Sequence, residues 1–229
     1  MIEIIPTHVP SSLEDLAAGA ERIRKIASTI HIDIDDGMFA PHLTWPYTTN
    51  GMFGDVELSP TGGLFAEIHL MVQEPKAVGA AFARAGAARI IGHVEGFADD
   101  NEVRGALDAW RKAGAQEVGL GLLLQTPFEV VAPLVPVCDV IHLMSIATIG
   151  VQGIAYDAGA PARIAEFHER FPGTLISVDG GVSGENIAEL ARAGATRFGV
   201  GAAISKASDP EAAYEKLKSL AENAIHPVR

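Results

Sequence analysis

A single cysteine, Cys138, stands in 229 residues, so no internal disulfide can form and a disulfide-built scaffold is excluded. Basic residues are scarce as well. Against 29 Asp and Glu there are 17 Lys and Arg, a formal net charge of -12, which argues against nucleic acid or an anionic membrane as partner. No apolar run approaches the roughly 18 residues needed to span a bilayer. The start, Met1-Ile2-Glu3-Ile4-Ile5-Pro6, has neither the basic region nor the long apolar stretch of a secretory signal. No linker or low-complexity tract divides the chain. The expectation is one cytoplasmic domain over residues 1–229, with 48% hydrophobic content available for a large core. A small anionic ligand is still compatible with the acidic charge, because local backbone N–H groups bind such ligands.

What is present is a repeated unit. Ala83-Arg84-Ala85-Gly86-Ala87, Arg111-Lys112-Ala113-Gly114-Ala115 and Ala191-Arg192-Ala193-Gly194-Ala195 each read as a helix end closed by glycine, the residue suited to a left-handed helix stop. An apolar strand follows each: residues 89–94, 117–123 and 197–200. With residues 2–5, 29–34, 66–72, 139–144 and 175–178 there are eight strand candidates, and helical patterns separate most of them. Such alternation implies a parallel sheet covered by helices, and eight units favour a closed (β/α)8 TIM barrel, with a doubly wound open sheet as the structural alternative. The weakest unit lies between Tyr47 and Pro60, where Gly51, Gly54 and prolines leave little room for a regular helix.

Four strand ends carry chemistry: His31-Ile32-Asp33-Ile34-Asp35-Asp36-Gly37, Ile68-His69-Leu70-Met71, Met144-Ser145 and Val178-Asp179-Gly180-Gly181. Residues two apart on a strand share a face, so His31 and Asp33 point the same way. With His69 and Asp179 they form a set of two imidazoles and two carboxylates at the C-terminal mouth of a barrel. That set suits a divalent transition metal, Zn, Fe, Mn or Co, better than Mg or Ca, which prefer all-oxygen shells. Asp179-Gly180-Gly181 and Gly199-Val200-Gly201-Ala202 close the last two strands, where barrel loops offer backbone N–H groups to phosphate. The remaining histidines, His8, His42, His93, His142, His168 and His226, read mostly as structural or surface groups, with only His8 and His42 beside segments that reach the mouth.

From Pro6-Thr7 to Ala203-Ile204 the chain resembles the ribulose-phosphate 3-epimerase family of phosphate-binding barrels. The resemblance is carried by residues 31–44, by Ile68-His69-Leu70-Met71-Val72 and by Val178-Asp179-Gly180-Gly181-Val182 with Glu185-Asn186-Ile187. It implies metal ligands at His31, Asp33, His69 and Asp179, with Asp33 and Asp179 also serving as the acid/base pair. It implies an apolar wall at Met71 and Met144, and substrate or phosphate contacts at Thr7, Gly180, Gly181, Gly201 and Ala202. The implied reaction is epimerisation at C3 of a ketose phosphate through an enediolate, D-ribulose 5-phosphate to D-xylulose 5-phosphate by default. Such inversion needs a proton-transfer group on each face of the substrate and a cation near the developing oxyanion.

The chain departs from the family at several places. Asp35 stands where the family has Met, His42 where it has Asn, Thr7 where it has Ser, and Ala202 where it often has Ser. Residues 147–153 lack the proline and some glycines of the family's closing loop. If Asp35 faces the site it either hydrogen-bonds a sugar hydroxyl or repels phosphate; if it faces away it is a solvated turn residue. Other readings are an epimerase of another ketose, such as a ketohexose 6-phosphate, or a non-catalytic binding barrel. Retention of all four ligand positions argues against the last. A homo-oligomer is expected, with a small sugar phosphate as the partner.

Overall fold

Most barrel strands carry aliphatic side chains at every second position and polar or small ones between, so one face suits helices and the other a barrel lumen. The computed structural model describes residues 1–150 and 154–225. Its barrel strands are β1 (Glu3–His8), β2 (Thr29–Asp35), β5 (Phe65–Met71), β6 (Arg89–His93), β7 (Glu117–Leu122), β8 (Val140–Met144), β9 (Ile176–Asp179) and β10 (Arg197–Val200). All are parallel, and β1 pairs with both β2 and β10, which closes the sheet and excludes the open doubly wound alternative. A short antiparallel hairpin, β3 (Tyr47–Thr49) with β4 (Met52–Phe53), occupies the weak unit where the sequence leaves no room for a helix.

The helices are α1 (Leu13–Ile23), α2 (Pro75–Arg84), α3 (Asp100–Ala113), α4 (Ala160–Arg170), α5 (Ile187–Arg192), α6 (Ala202–Ser205) and α7 (Pro210–Ile225). Their starts follow local chemistry. The Ser12 hydroxyl accepts from Asp15 N, and the Asp99 carboxylate from Glu102 N, each satisfying an otherwise unpaired helix donor. At the predicted stops Gly86, Gly114 and Gly194 take φ values of 104°, 123° and 117°, a region that L side chains rarely adopt. Among the described residues no helix is long and apolar enough to cross a membrane.

Two cores result. Ile30, Ile32, Ile34, Ile68, Leu70, Ile90, Leu120 and Phe198 face outward and form, with the helices, one continuous apolar layer. Trp110 of α3 is fully buried in that layer, its indole N–H donating to Lys76 O at 3.1 Å. The lower lumen is charged instead. Arg89 pairs with Glu67, with Glu117 at 2.8 Å and with Glu3 at 3.6 Å, while Arg197 reaches Glu117 at 2.6 Å and Glu3 at 2.8 Å. Three carboxylates around two guanidiniums leave every charge partnered, which is the condition under which buried charge is tolerated.

Candidate active site

Above that network the register places Asp33 of β2 opposite His69 of β5, and His31 opposite Glu67. One Asp33 oxygen lies 3.1 Å from His31 Nε2 and 2.9 Å from His69 Nδ1. His69 Nε2 is 2.8 Å from His93 Nε2, and His93 Nδ1 is 3.3 Å from Glu95. His142 of β8 stacks 5.6 Å from the His31 ring and 4.7 Å from that of His69. His31, His69, His142 and Asp179 each offer a donor atom, all within 4.8 Å of one another.

The partners decide the tautomers. His31 Nδ1–H donates to the Glu67 carboxylate at 2.5 Å, so Nε2 turns to Asp33. Burial, which disfavours the cation, lowers the His93 pKa, so His93 is neutral; its Nδ1–H donates to Glu95, which makes its Nε2 an acceptor for His69 Nε2–H. His31 Nε2 and His69 Nδ1 therefore both face the same Asp33 oxygen, each able to donate to it when protonated and to offer a lone pair to a cation when not. Two imidazole nitrogens and a carboxylate oxygen meet at one place, where lone pairs repel unless a proton or a cation lies among them. Histidines oriented from behind by Glu67 and by His93 are the arrangement that metal ligands adopt. The donor set fits a divalent metal.

The carboxyls of the site are pushed apart in acidity. Burial would raise Asp33, but attraction and hydrogen bonds from His31 and His69 outweigh it and hold Asp33 well below the usual carboxylate range. Asp179 moves the other way, raised by burial and by repulsion from Asp33. Asp35, buried and near both Asp33 and Asp36, is pushed up to about 8. It is not a solvated turn residue: it is 2% exposed, shares the inward face of β2 with His31 and Asp33, and its Oδ1 has no hydrogen-bond partner.

The Ribulose-phosphate 3 epimerase family model matches residues 3–205. The chain belongs to the ribulose-phosphate 3-epimerase family. It is an epimerase, an enzyme of the isomerase class. Ribulose-phosphate 3-epimerase of Mycobacterium leprae is 30% identical over 229 residues, covering 97% of each chain. That of Chlamydia muridarum is 33% identical over 199 residues, covering 84% of this chain and 83% of the relative. The fold is shared more widely. The crystal structure of 3-hexulose-6-phosphate synthase from Salmonella typhimurium aligns with a TM-score of 0.70 at 14% identity, covering 97% of this chain and all of that one.

The other family positions fall around the same mouth. Thr7 lies in register with His31, and its hydroxyl is so near Gly201 that a Cβ there would sit 2.8 Å away. Met71 and Met144 are buried in a small apolar cluster with Ala40 and Ile149, separate from the outer core. Gly180 and Gly181 follow β9 with φ of 110° and 68°. The Ser145 hydroxyl donates to Asp179 O at 2.9 Å and Gly180 O at 2.6 Å, which fastens the end of β8 to that turn. Gly201 and Ala202 begin α6. Asp36, part of the first motif, holds backbone in place. It accepts from Met38 N, Phe39 N and Gln73 N, pinning the loop after β2 to the end of β5.

Two histidine readings require correction. His93 and His142, expected as structural or surface groups away from the mouth, are fully buried inside the barrel beside His69. The signal was present in the period of two, since His142 shares a strand face with Met144, and His93 with Arg89. His8 instead turns toward α1, its Nε2 3.1 Å from Asp15 O, and His42 is exposed. Of the altered loop at 147–153, residues 151–153 lie outside the described residues, as does His226. Residues 147–150 fold over the mouth, where a Cβ on Gly150 would come 2.6 Å from the Ala40 side chain and 3.2 Å from Asp35 Oδ1.

Proposed function

We propose that the chain, as one barrel domain over residues 1–229, catalyses metal-dependent epimerisation at C3 of a ketose phosphate, with D-ribulose 5-phosphate and D-xylulose 5-phosphate as the pair. The observation that carries the reading is geometric: Asp33 and Asp179, from strands β2 and β9 on different sides of the barrel, meet His31 and His69 in one buried site. An ionised carboxylate can take the C3 proton while a protonated one returns a proton to the opposite face, and in the reverse direction the roles exchange. His31, Asp33, His69 and Asp179 would hold a divalent transition metal. When bound, it supplies positive charge for the oxygen that becomes anionic as C3 loses its proton.

The family's phosphate contacts fall on the backbone N–H groups of Gly180, Gly181, Gly201 and Ala202, with the Thr7 hydroxyl nearby. Met71 and Met144 shield the reacting carbon from water, which strengthens the electrostatics there. Asp35, protonated near neutral pH, presents a neutral carboxyl that donates to a sugar hydroxyl and does not repel phosphate. The exposed side chains of Met38, Leu43 and Met52 support homo-oligomer formation, and a cytoplasmic location completes the reading.

The test is hydrogen exchange in heavy water across pentulose and hexulose phosphates and their free sugars. D-ribulose 5-phosphate is expected to incorporate deuterium at C3 during turnover, and a chelator should abolish this until metal is restored. Exchange confined to a hexulose phosphate would move the substrate. Epimerisation undiminished after exhaustive chelation would remove the metal.

A further inference from the structure

His142 lies outside the four-ligand set that the family resemblance implies, yet it is the third imidazole of the donor cluster. Its Nδ1 is 3.0 Å from the Ser177 hydroxyl, and its Nε2 is buried with no hydrogen-bond partner. The ring is 0% exposed and packed between His31, His69 and the wall of the barrel. Buried polar atoms without partners are uncommon, and each calls for an explanation such as an ion. A neutral imidazole that donates Nδ1–H to Ser177 leaves a lone pair on Nε2, the form in which histidine binds metals. Nε2 is the ring nitrogen left without a protein partner, and His31, His69, His142 and Asp179 each bring one donor atom within 4.8 Å of the others.

We propose that His142 is a further ligand of the metal, making the site three imidazoles and two carboxylates. The inference rests on the metal reading given above. Ser177, on the neighbouring strand and in register with His142, positions the ring from behind as Glu67 positions His31. A third nitrogen donor moves preference away from Mn²⁺, which favours oxygen ligands, toward Zn²⁺, Fe²⁺ or Co²⁺.

The test uses Co²⁺ as the probe on the full chain. In the Co²⁺-loaded wild-type protein, hyperfine-shifted exchangeable N–H proton signals count the coordinated imidazoles, and three are expected. Chelator competition should show His142→Leu weakening Co²⁺ binding by about 10- to 100-fold, with a smaller loss for Mn²⁺ and a changed visible spectrum. Two shifted N–H signals in the wild type would overturn the assignment even if the variant fails to fold. So would unchanged Co²⁺ affinity and spectrum in folded His142→Leu. Wild-type protein that binds no Co²⁺ would overturn both this assignment and the metal reading, whereas two imidazoles around a bound ion would overturn only the role of His142.

Discussion

The lower and upper halves of the lumen are both built from charged side chains, and they differ in how those charges are matched. In the lower half, Arg89 and Arg197 are shared among Glu3, Glu67 and Glu117. In the upper half, Asp33 takes two imidazoles while Asp35 Oδ1 and His142 Nε2 have no partner. Full pairing holds a barrel closed, whereas partial pairing leaves groups free to engage something that is not protein. Glu67 joins the halves, accepting from Arg89 below and from His31 above.

The sharpest break in this comparison comes from the upper half. Asp33→Asn or Asp179→Asn should lower turnover by about 10²- to 10⁴-fold with circular dichroism unchanged, and wild-type rates in either variant would mean that the carboxyls are merely structural. Arg89→Met should do the reverse. It leaves Glu67 buried without its cation, a loss on the order of 3–5 kcal/mol measured by denaturant unfolding, while the folded fraction keeps most of its turnover. An equal effect of both substitutions on stability would erase the distinction between the halves.

The smallest effect concerns pH. Folded Asp35 titrates near 8 and an unfolded Asp near about 3.9. Between those values the folded chain keeps a proton that the unfolded chain releases. The contribution of Asp35 is therefore neutral below the lower value, and stability is lost progressively as pH rises toward the upper one. Asp35→Asn should flatten that decline by on the order of 2 kcal/mol between pH 5.5 and pH 7, read from unfolding curves at the two pH values. A parallel decline in both proteins would place the carboxyl in water.

The barrel was legible in the sequence because its signals are local and repeated. Gly86, Gly114 and Gly194 stop helices wherever they occur, and the apolar strands after them need no partner to be recognised. His31, Asp33, His69 and Asp179 were legible as a candidate set because each interrupts or closes an apolar stretch beside a distinctive neighbour. His93 and His142 carried only the weaker signal of a shared strand face, since each sits within an apolar run and gains its neighbours when closure brings β6 and β8 against β5 and β9. The hairpin after β2 was foreseen only as missing helix, because its pairing depends on contacts of Tyr47 and Phe53 rather than on periodicity. The acidity of Asp35 is likewise a property of its surroundings and not of its residue type.

Gly121, Gly199 and Gly201 mark room kept free inside the barrel. A methyl group on them would reach 3.1 Å from His93, 2.9 Å from Asp179 and 2.8 Å from Thr7, respectively. The lumen is thus a fixed volume divided among eight contributors, where strands β2, β5 and β9 fill it with reactive groups and strands β7 and β10 hold it open. A single methyl added at Gly199 would shift the Asp179 carboxyl without touching it chemically, so the geometry of the proposed site is inherited as much from hydrogen atoms as from acids.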